Sequence, residues 1–407
     1  MYPSHIVKKF GSLAEVMLSP PNPEELDKNG CYSKQSCDRT ESMILGEVAK
    51  RLKGRYYQEE QEHGTDPNNR WRTVSCLQKA VRFGDVAMAR FCASVAFDMD
   101  PKYVLRRLGI VAVEDVAAGD PFAVLAVLAV IGSSGFRKSC DERRLIIFLA
   151  EMLAEAHGDR NMTDLLNAAD FDATSPKQEW AMLPSAKLGE IAVNKDVELV
   201  QRSVAIWLMA GTKKYWGHTM PTGNDRPATP VFRLMVEQGL PRAFLYGAAK
   251  TASRLNEAFW VSFYLMNEQL LATETVEVIA DKVPEVPRIG KLLGAAYDMH
   301  TREGKEALRR FGGSCKAIKQ FRDSTFSWQA YMTALHEAVF YVEGGVLKTR
   351  VAYAGSEEMR DLSWRNIMSR TGLPEPEHQP FFQAVAENLD YLNKLRAEVL
   401  WEKLNKK

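Results

Sequence analysis

Asp100-Pro101-Lys102-Tyr103-Val104-Leu105-Arg106-Arg107-Leu108 is the centre of the stretch that decides the fold, residues 76–121. Leu77, Lys79, Arg82 and Asp85 precede it, and Glu114-Asp115 and Asp120-Pro121 follow. Asp-Pro is a helix-start signal. The carboxylate accepts from free backbone N–H groups of the first turn, and proline suits the first helical position because its missing N–H has no partner there anyway. Asp85, Asp100, Asp120 and Asp141 therefore mark successive starts. The apolar spacing between them predicts helices over 74–83, 85–98, 101–117, 121–133, 141–157 and 161–169.

Outward from this stretch the pattern stays helical. Residues 1–40, with Ser19-Pro20-Pro21-Asn22-Pro23, read as an arm carrying at most one short helix near 13–18. Ile44, Leu45, Val48 and Leu52 predict a helix over 41–57, and Glu59 to Arg72 reads as a polar loop. Asp172 to Pro176 is a boundary, two apolar helices fall in 177–220, and 219–230 is a loop. Further helices are expected at 231–238, 241–253, 255–271, 273–282, 290–297, 302–311, 314–322, 327–342, 356–370 and 380–404. The expectation is an all-α chain with almost no sheet. Its four regions are an N-terminal arm and helix (1–73), a first helical domain (74–172), a second helical region (173–325) and a C-terminal helical region (326–407).

The phrases around Asp100 resemble the helical C-terminal collar of the RarA/MgsA branch of clamp-loader-related AAA+ ATPases. In that branch a phrase "LxKxxRxxD" precedes "DPxYxxRRL", "ASED" and "ADP"; here Leu77 to Asp85 and Asp100 to Leu108 match the first two, and Val113-Glu114-Asp115 and Asp120-Pro121 stand in register with the others. A second phrase, "DxHTRxGK", is matched by Asp298-Met299-His300-Thr301-Arg302-Glu303-Gly304-Lys305. The resemblance brackets residues 74–310. It implies a clamp-loader-collar-like multi-helical core with additional helices at both ends. The family's motor lies N-terminal to this region, so the expectation is a collar without the ATPase module. The nearest approach to a phosphate-binding loop, Gly132-Ser133-Ser134-Gly135-Phe136-Arg137-Lys138-Ser139, brings its second glycine too early for the G-x-x-x-x-G-K-[ST] spacing. It reads as a helix–helix loop with polar caps.

Hydrophobic residues make up 46% and charged residues 26% of the 407, so the chain has ample core for a globular protein. A net charge of +1 supplies no global field for nucleic acid, so any such contact must be local. The six cysteines and seven histidines have no metal-ligand spacing, and no metal or cofactor is expected. Without a leader or an uncharged apolar run long enough to span a bilayer, the expected compartment is the cytoplasm, the host's if the chain is viral.

Three local patches combine cations with rings or helical spacing. Arg302, Lys305, Arg309, Arg310, Lys316, Lys319 and Arg322 face few acids, and Arg302, Lys305 and Arg309 share one helical face. Such a ridge suits a phosphate backbone. Lys213, Lys214, Tyr215 and Trp216 mix charge with flat rings, as single-strand binders do, although rings at a helix end also pack inward. Arg51, Lys53, Arg55, Tyr56 and Tyr57 form the third. Lys79, Arg82, Arg106 and Arg107 read as structural pairs with Asp85, Glu114 and Asp115 that lock one helix to the next, the alternative being a phosphate-contacting or subunit-bridging face. Asp298 and His300 stand too close in sequence to face each other on a helix, so His300-Thr301 reads as a cap for the helix after it. Glu59-Glu60 and Glu357-Glu358 read as solvated surface, and no catalytic motif is present. The apolar residues of 381–400 describe a long amphipathic helix that either packs on its own domain or serves a partner.

The function expected from these readings is a non-enzymatic accessory factor that binds DNA, preferentially single-stranded. It would bring a polymerase or replisome protein to that DNA in phage transcription or replication. The alternative is an interaction or oligomerisation protein that docks on an AAA+ or replisome partner without touching DNA.

Overall fold

The computed structural model describes residues 1–57 and 70–405. They are mostly helical, as expected. The acids that mark helix starts do cap them. Asp85 accepts from the Met88 N–H, Asp100 from Lys102 and Tyr103, Asp120 from Ala123, and Asp141 from Arg144. The helices that follow run Val86–Met99, Pro101–Val111, Pro121–Gly132 and Glu142–Glu155. Pro121–Gly132 is apolar all round and lies at the centre of the core, with Phe122 to Val130 at 2% exposure or less. A helix with no polar face has to be surrounded on every side.

One hydrophobic cluster runs from Ile6 to Met359 and a second gathers residues 307–399. The first crosses residue 172 without interruption, so the boundary expected there does not divide the core. The short helix expected near 13–18 is present as Ala14–Met17, but the arm also carries a helix at Ser4–Phe10 and docks on the core, which was not expected. Helices Ser4–Phe10 and Ala14–Met17 send Ile6, Phe10 and Met17 fully into the main cluster. Buried apolar side chains outweigh the turn-forming composition of this segment.

The segments expected as helices over 273–282 and 290–297 are instead short strands and a 3-10 turn. Glu277–Ile279 pairs antiparallel with Arg350–Ala352, and Arg288–Ile289 with Leu292–Leu293. Thr273, Thr275, Val276, Val278 and Ile279 favour an extended backbone because β-branched side chains restrict χ1 in a helix. The helix expected over 380–404 is broken at Asn388 into Glu375–Glu387 and Leu389–Leu404. Its second half packs at home. Leu389, Leu392, Leu395 and Val399 are buried, and the fully buried Arg396 pairs with Glu343 at 2.7 Å and donates to the Tyr297 carbonyl. Residues 59–69 of the expected polar loop, with Glu59-Glu60, lie outside the described residues, and Arg70–Arg82 is helical. Among the described residues no helix is long and apolar enough to cross a membrane.

Candidate nucleic-acid interface

The helix Arg302–Ser314 begins at Thr301, whose hydroxyl accepts from the Gly304 N–H at 3.0 Å. It buries Ala307, Leu308 and Phe311 and turns Arg302, Lys305 and Arg309 outward. Lys316, Lys319 and Arg322 continue the exposed series beyond Cys315. The seven expected cations are not equivalent. Arg309 and Arg310 both bond Glu306, and Arg310 also grips Glu402 through two bonds of 2.7 and 2.8 Å. Arg310 is therefore a latch between this helix and Leu389–Leu404, and its charge is largely spent. Arg302, Lys305, Lys316, Lys319 and Arg322 have no carboxylate partner among the described residues.

Sequence reading stopped at Arg322, and the structure adds rings just beyond it. Trp328 is 39% exposed and the Arg322 guanidinium lies 5.2 Å from its ring centre. Phe326 is 81% exposed and rests its ring on Gly372, where a Cβ would come within 2.5 Å of it. The available signal was Phe326-Ser327-Trp328 standing between a basic run and a helix capped by Ser327.

Gly372 leads to the second patch. Arg370, two residues earlier, bonds Glu337 at 2.7 Å and lies 4.5 Å over the Phe171 ring. Phe171 stands 5.5 Å from the His218 ring, and His218 meets Trp216 edge-on at 5.4 Å. Trp216 is 65% exposed. Asp170 fixes this end by accepting from the backbone N–H groups of His218 and Thr219 at 2.7 and 2.8 Å. Gly217 permits that approach, since a Cβ there would sit 2.7 Å from the Asp170 carboxylate. Arg370, Phe171, His218 and Trp216 form one chain of contacts, Arg322 meets Trp328, and Phe326 touches Gly372, two residues along from Arg370. Phe171 and Arg370 carry no local motif and were not legible as interface residues.

Other expected residues are otherwise engaged. Tyr215 is 4% exposed, packs edge-on against Trp260 at 5.6 Å and donates to the Ala252 carbonyl, so it offers no face for stacking. Its expected binding role is corrected to a core one. Lys213 pairs with Asp225 at 2.7 Å, and Lys214 leans on Tyr215 and donates to the Ala252 carbonyl. In the third patch Arg51 bonds Glu47 and covers the Phe122 ring, and Arg55 bonds Glu151. Tyr57 is half-buried, which leaves Lys53 and Tyr56 exposed. Glu357, expected as solvated surface, accepts from Arg350 at 2.9 Å.

The separated motif phrases converge elsewhere. Arg82 bonds Asp115 at 2.8 Å, Glu114 at 3.2 Å and the Gly344 carbonyl at 2.6 Å. Gln78 donates to both acids, and Arg160 joins Asp115 from the other side. Lys79 pairs with Asp298 rather than with Asp85, which is occupied as a helix cap. Ser75 donates to the same Asp298 oxygen at 3.1 Å. Burial pushes the Asp298 carboxyl up, but the Lys79 ammonium, the His300 imidazole and hydrogen bonds to the carboxylate outweigh it and hold it at about 2. Arg106 leaves this group to bond Glu257 at 3.0 Å and the Leu255 carbonyl at 2.8 Å. These pairs hold helices to each other within one chain. Among the described residues no cluster of His, Cys, Asp and Glu suits a metal ion. Comparison with protein-family models, with curated proteins and with solved structures found no match to this chain.

Proposed function

We propose that this protein is a non-enzymatic accessory factor that holds single-stranded DNA and brings a polymerase or replisome protein to it, in phage transcription or replication. The observation that carries the reading is the exposed ridge of cations without carboxylate partners, Arg302, Lys305, Lys316, Lys319 and Arg322, together with the exposed rings of Phe326, Trp328 and Trp216. Cations without carboxylate partners attract phosphates, and exposed rings stack on unpaired bases, whose faces a duplex hides. The collar-like phrases agree with a setting in DNA metabolism. Partner recruitment rests on that resemblance, and self-association belongs to the same proposal.

Fluorescence anisotropy with labelled oligo-dT and with duplex DNA across a salt series tests the reading. Five phosphate contacts, from Arg302, Lys305, Lys316, Lys319 and Arg322, give a slope of log K against log salt of about −3.5. Reversing Lys305, Lys316 and Lys319 to Glu is expected to abolish single-strand binding at moderate salt. Phe326→Ala and Trp216→Ala each remove one stacking contact worth ~1–3 kcal/mol, while Tyr215→Phe leaves affinity unchanged. No binding at low salt sinks the proposal and favours an interaction protein that does not touch DNA.

A further inference from the structure

The motif phrases meet around a cavity of about 280 Å³ between the helices Arg70–Arg82 and Pro101–Val111 and the loop carrying Asp298 and His300. This size lies just below the range of about 300–1,000 Å³ for drug-sized ligand pockets and suits a smaller ligand. Its walls combine two rings, Trp71 and Phe340, with the charged network described above. Trp71 is half exposed, at the mouth, while Phe340 lies under the guanidinium groups of Arg82 and Arg160 at 5.0 and 5.1 Å.

Most of the charge here is internally matched. Asp298 takes Lys79, and Glu114 and Asp115 take Arg82 and Arg160. Arg107 is the odd cation. It lines the cavity, its Nε is buried without a hydrogen-bond partner, and no carboxylate among the described residues pairs with it. A buried guanidinium N–H without a partner carries a desolvation cost that an incoming acceptor removes. The planar guanidinium fork matches a phosphate or carboxylate group. The cavity also adjoins the cationic ridge, because His300 on its wall stands two residues before Arg302, the first ridge cation.

We infer that this cavity binds a nucleoside phosphomonoester, with the phosphate on Arg107 and the base against Trp71. Its relation to the ridge rests on the single-strand reading above and assigns the ligand as the 5′-phosphorylated end of a strand. A free mononucleotide presents the same chemistry.

Two arms of one experiment separate these sources. Calorimetric titration with deoxyadenosine 5′-monophosphate, deoxyadenosine and inorganic phosphate tests the pocket without the ridge. The nucleotide is expected to bind more tightly than either fragment. Arg107→Gln is expected to lose about ten- to hundredfold of its affinity, as removal of a charge-assisted bond implies. Trp71→Ala, at an exposed position, repeats the test from the base side, and thermal melting verifies that both variants fold. The second arm compares 5′-phosphorylated and 5′-hydroxyl oligonucleotides. A preference for the phosphorylated end that Arg107→Gln removes, with 5′-hydroxyl affinity unchanged, supports the strand end. Equal affinity for both, with nucleotide binding intact, supports the free mononucleotide and overturns the strand-end assignment. If nucleotide and nucleoside bind alike, or if the folded Arg107→Gln and Trp71→Ala variants bind the nucleotide as the parent does, the inference falls whatever the ridge does.

Discussion

Lys79 and Asp298 come from different motif phrases and meet as a buried pair. With its folded pKa held near 2, below its value of about 3.9 in an unfolded chain, Asp298 contributes stability above that unfolded value. That contribution is lost as pH falls from about 4 through 2. Asp298→Ala strands the Lys79 ammonium in the interior and is expected to cost ~3–5 kcal/mol in urea unfolding. Lys79→Met added to Asp298→Ala recovers a large part, and additive losses would show that the two do not act as a pair. Asp164 behaves in the opposite sense. Burial raises its carboxyl to about 6, beyond what Arg160 and Arg360 offset. The folded chain then holds a proton that the unfolded chain has released, so stability falls as pH rises from about 4 to 6. Asp164→Asn has no charge to bury and is expected to gain ~1–3 kcal/mol at pH 7 while gaining little at pH 4. Unfolding curves at the two pH values check the difference. Asp159, also raised to about 6, is unsuited to that change because it accepts from the N–H groups of Ala118 and Asn161 and from the Tyr353 hydroxyl.

Elements were legible where one signal dominated. The capping acids at 85, 100, 120 and 141 placed four helix starts, because a cap is a local bond between a side chain and its own first turn. The face shared by Arg302, Lys305 and Arg309 followed from helical spacing alone. The strand at Glu277–Ile279 was missed because its partner, Arg350–Ala352, lies far along the chain and helps to hold three extended residues that could not persist alone. The first helix of the N-terminal arm, and the docking of the arm on the core, were missed for a related reason. The arm's Pro- and Asn-rich composition speaks mainly of turns, whereas Ile6, Phe10 and Met17 find their partners in the distant core. Deleting residues 1–18 exposes that core. At ~1.5–3 kcal/mol for each of the three buried side chains, the truncated chain is expected to lose cooperative thermal unfolding or melt far lower. An unchanged midpoint would mean that the arm is dispensable to the core.

At the scale of the whole molecule, sequence reading identified an all-α chain, its main helix starts, the outward ridge at 302–322 and the set of charged residues around Arg82. These depend on short-range periodicity and capping, which the order of residues determines directly. Tertiary structure decided which charges remain available. Glu402 reaches Arg310 from the last helix, and Asp298 takes Lys79, so neither cation is free. It also decided which rings face water: Tyr215 goes inward while its neighbour Trp216 stays outside. Phe171 and Arg370, far apart in sequence, meet only because their helices pack side by side, with Asn366 bonding the Ala168 carbonyl at 3.0 Å. Charge pairing and burial are set by neighbours in space, and most of those neighbours are remote in the chain. That is why the elements and the ridge could be read from residues in order, while the pairing and exposure of the other charges and rings could not.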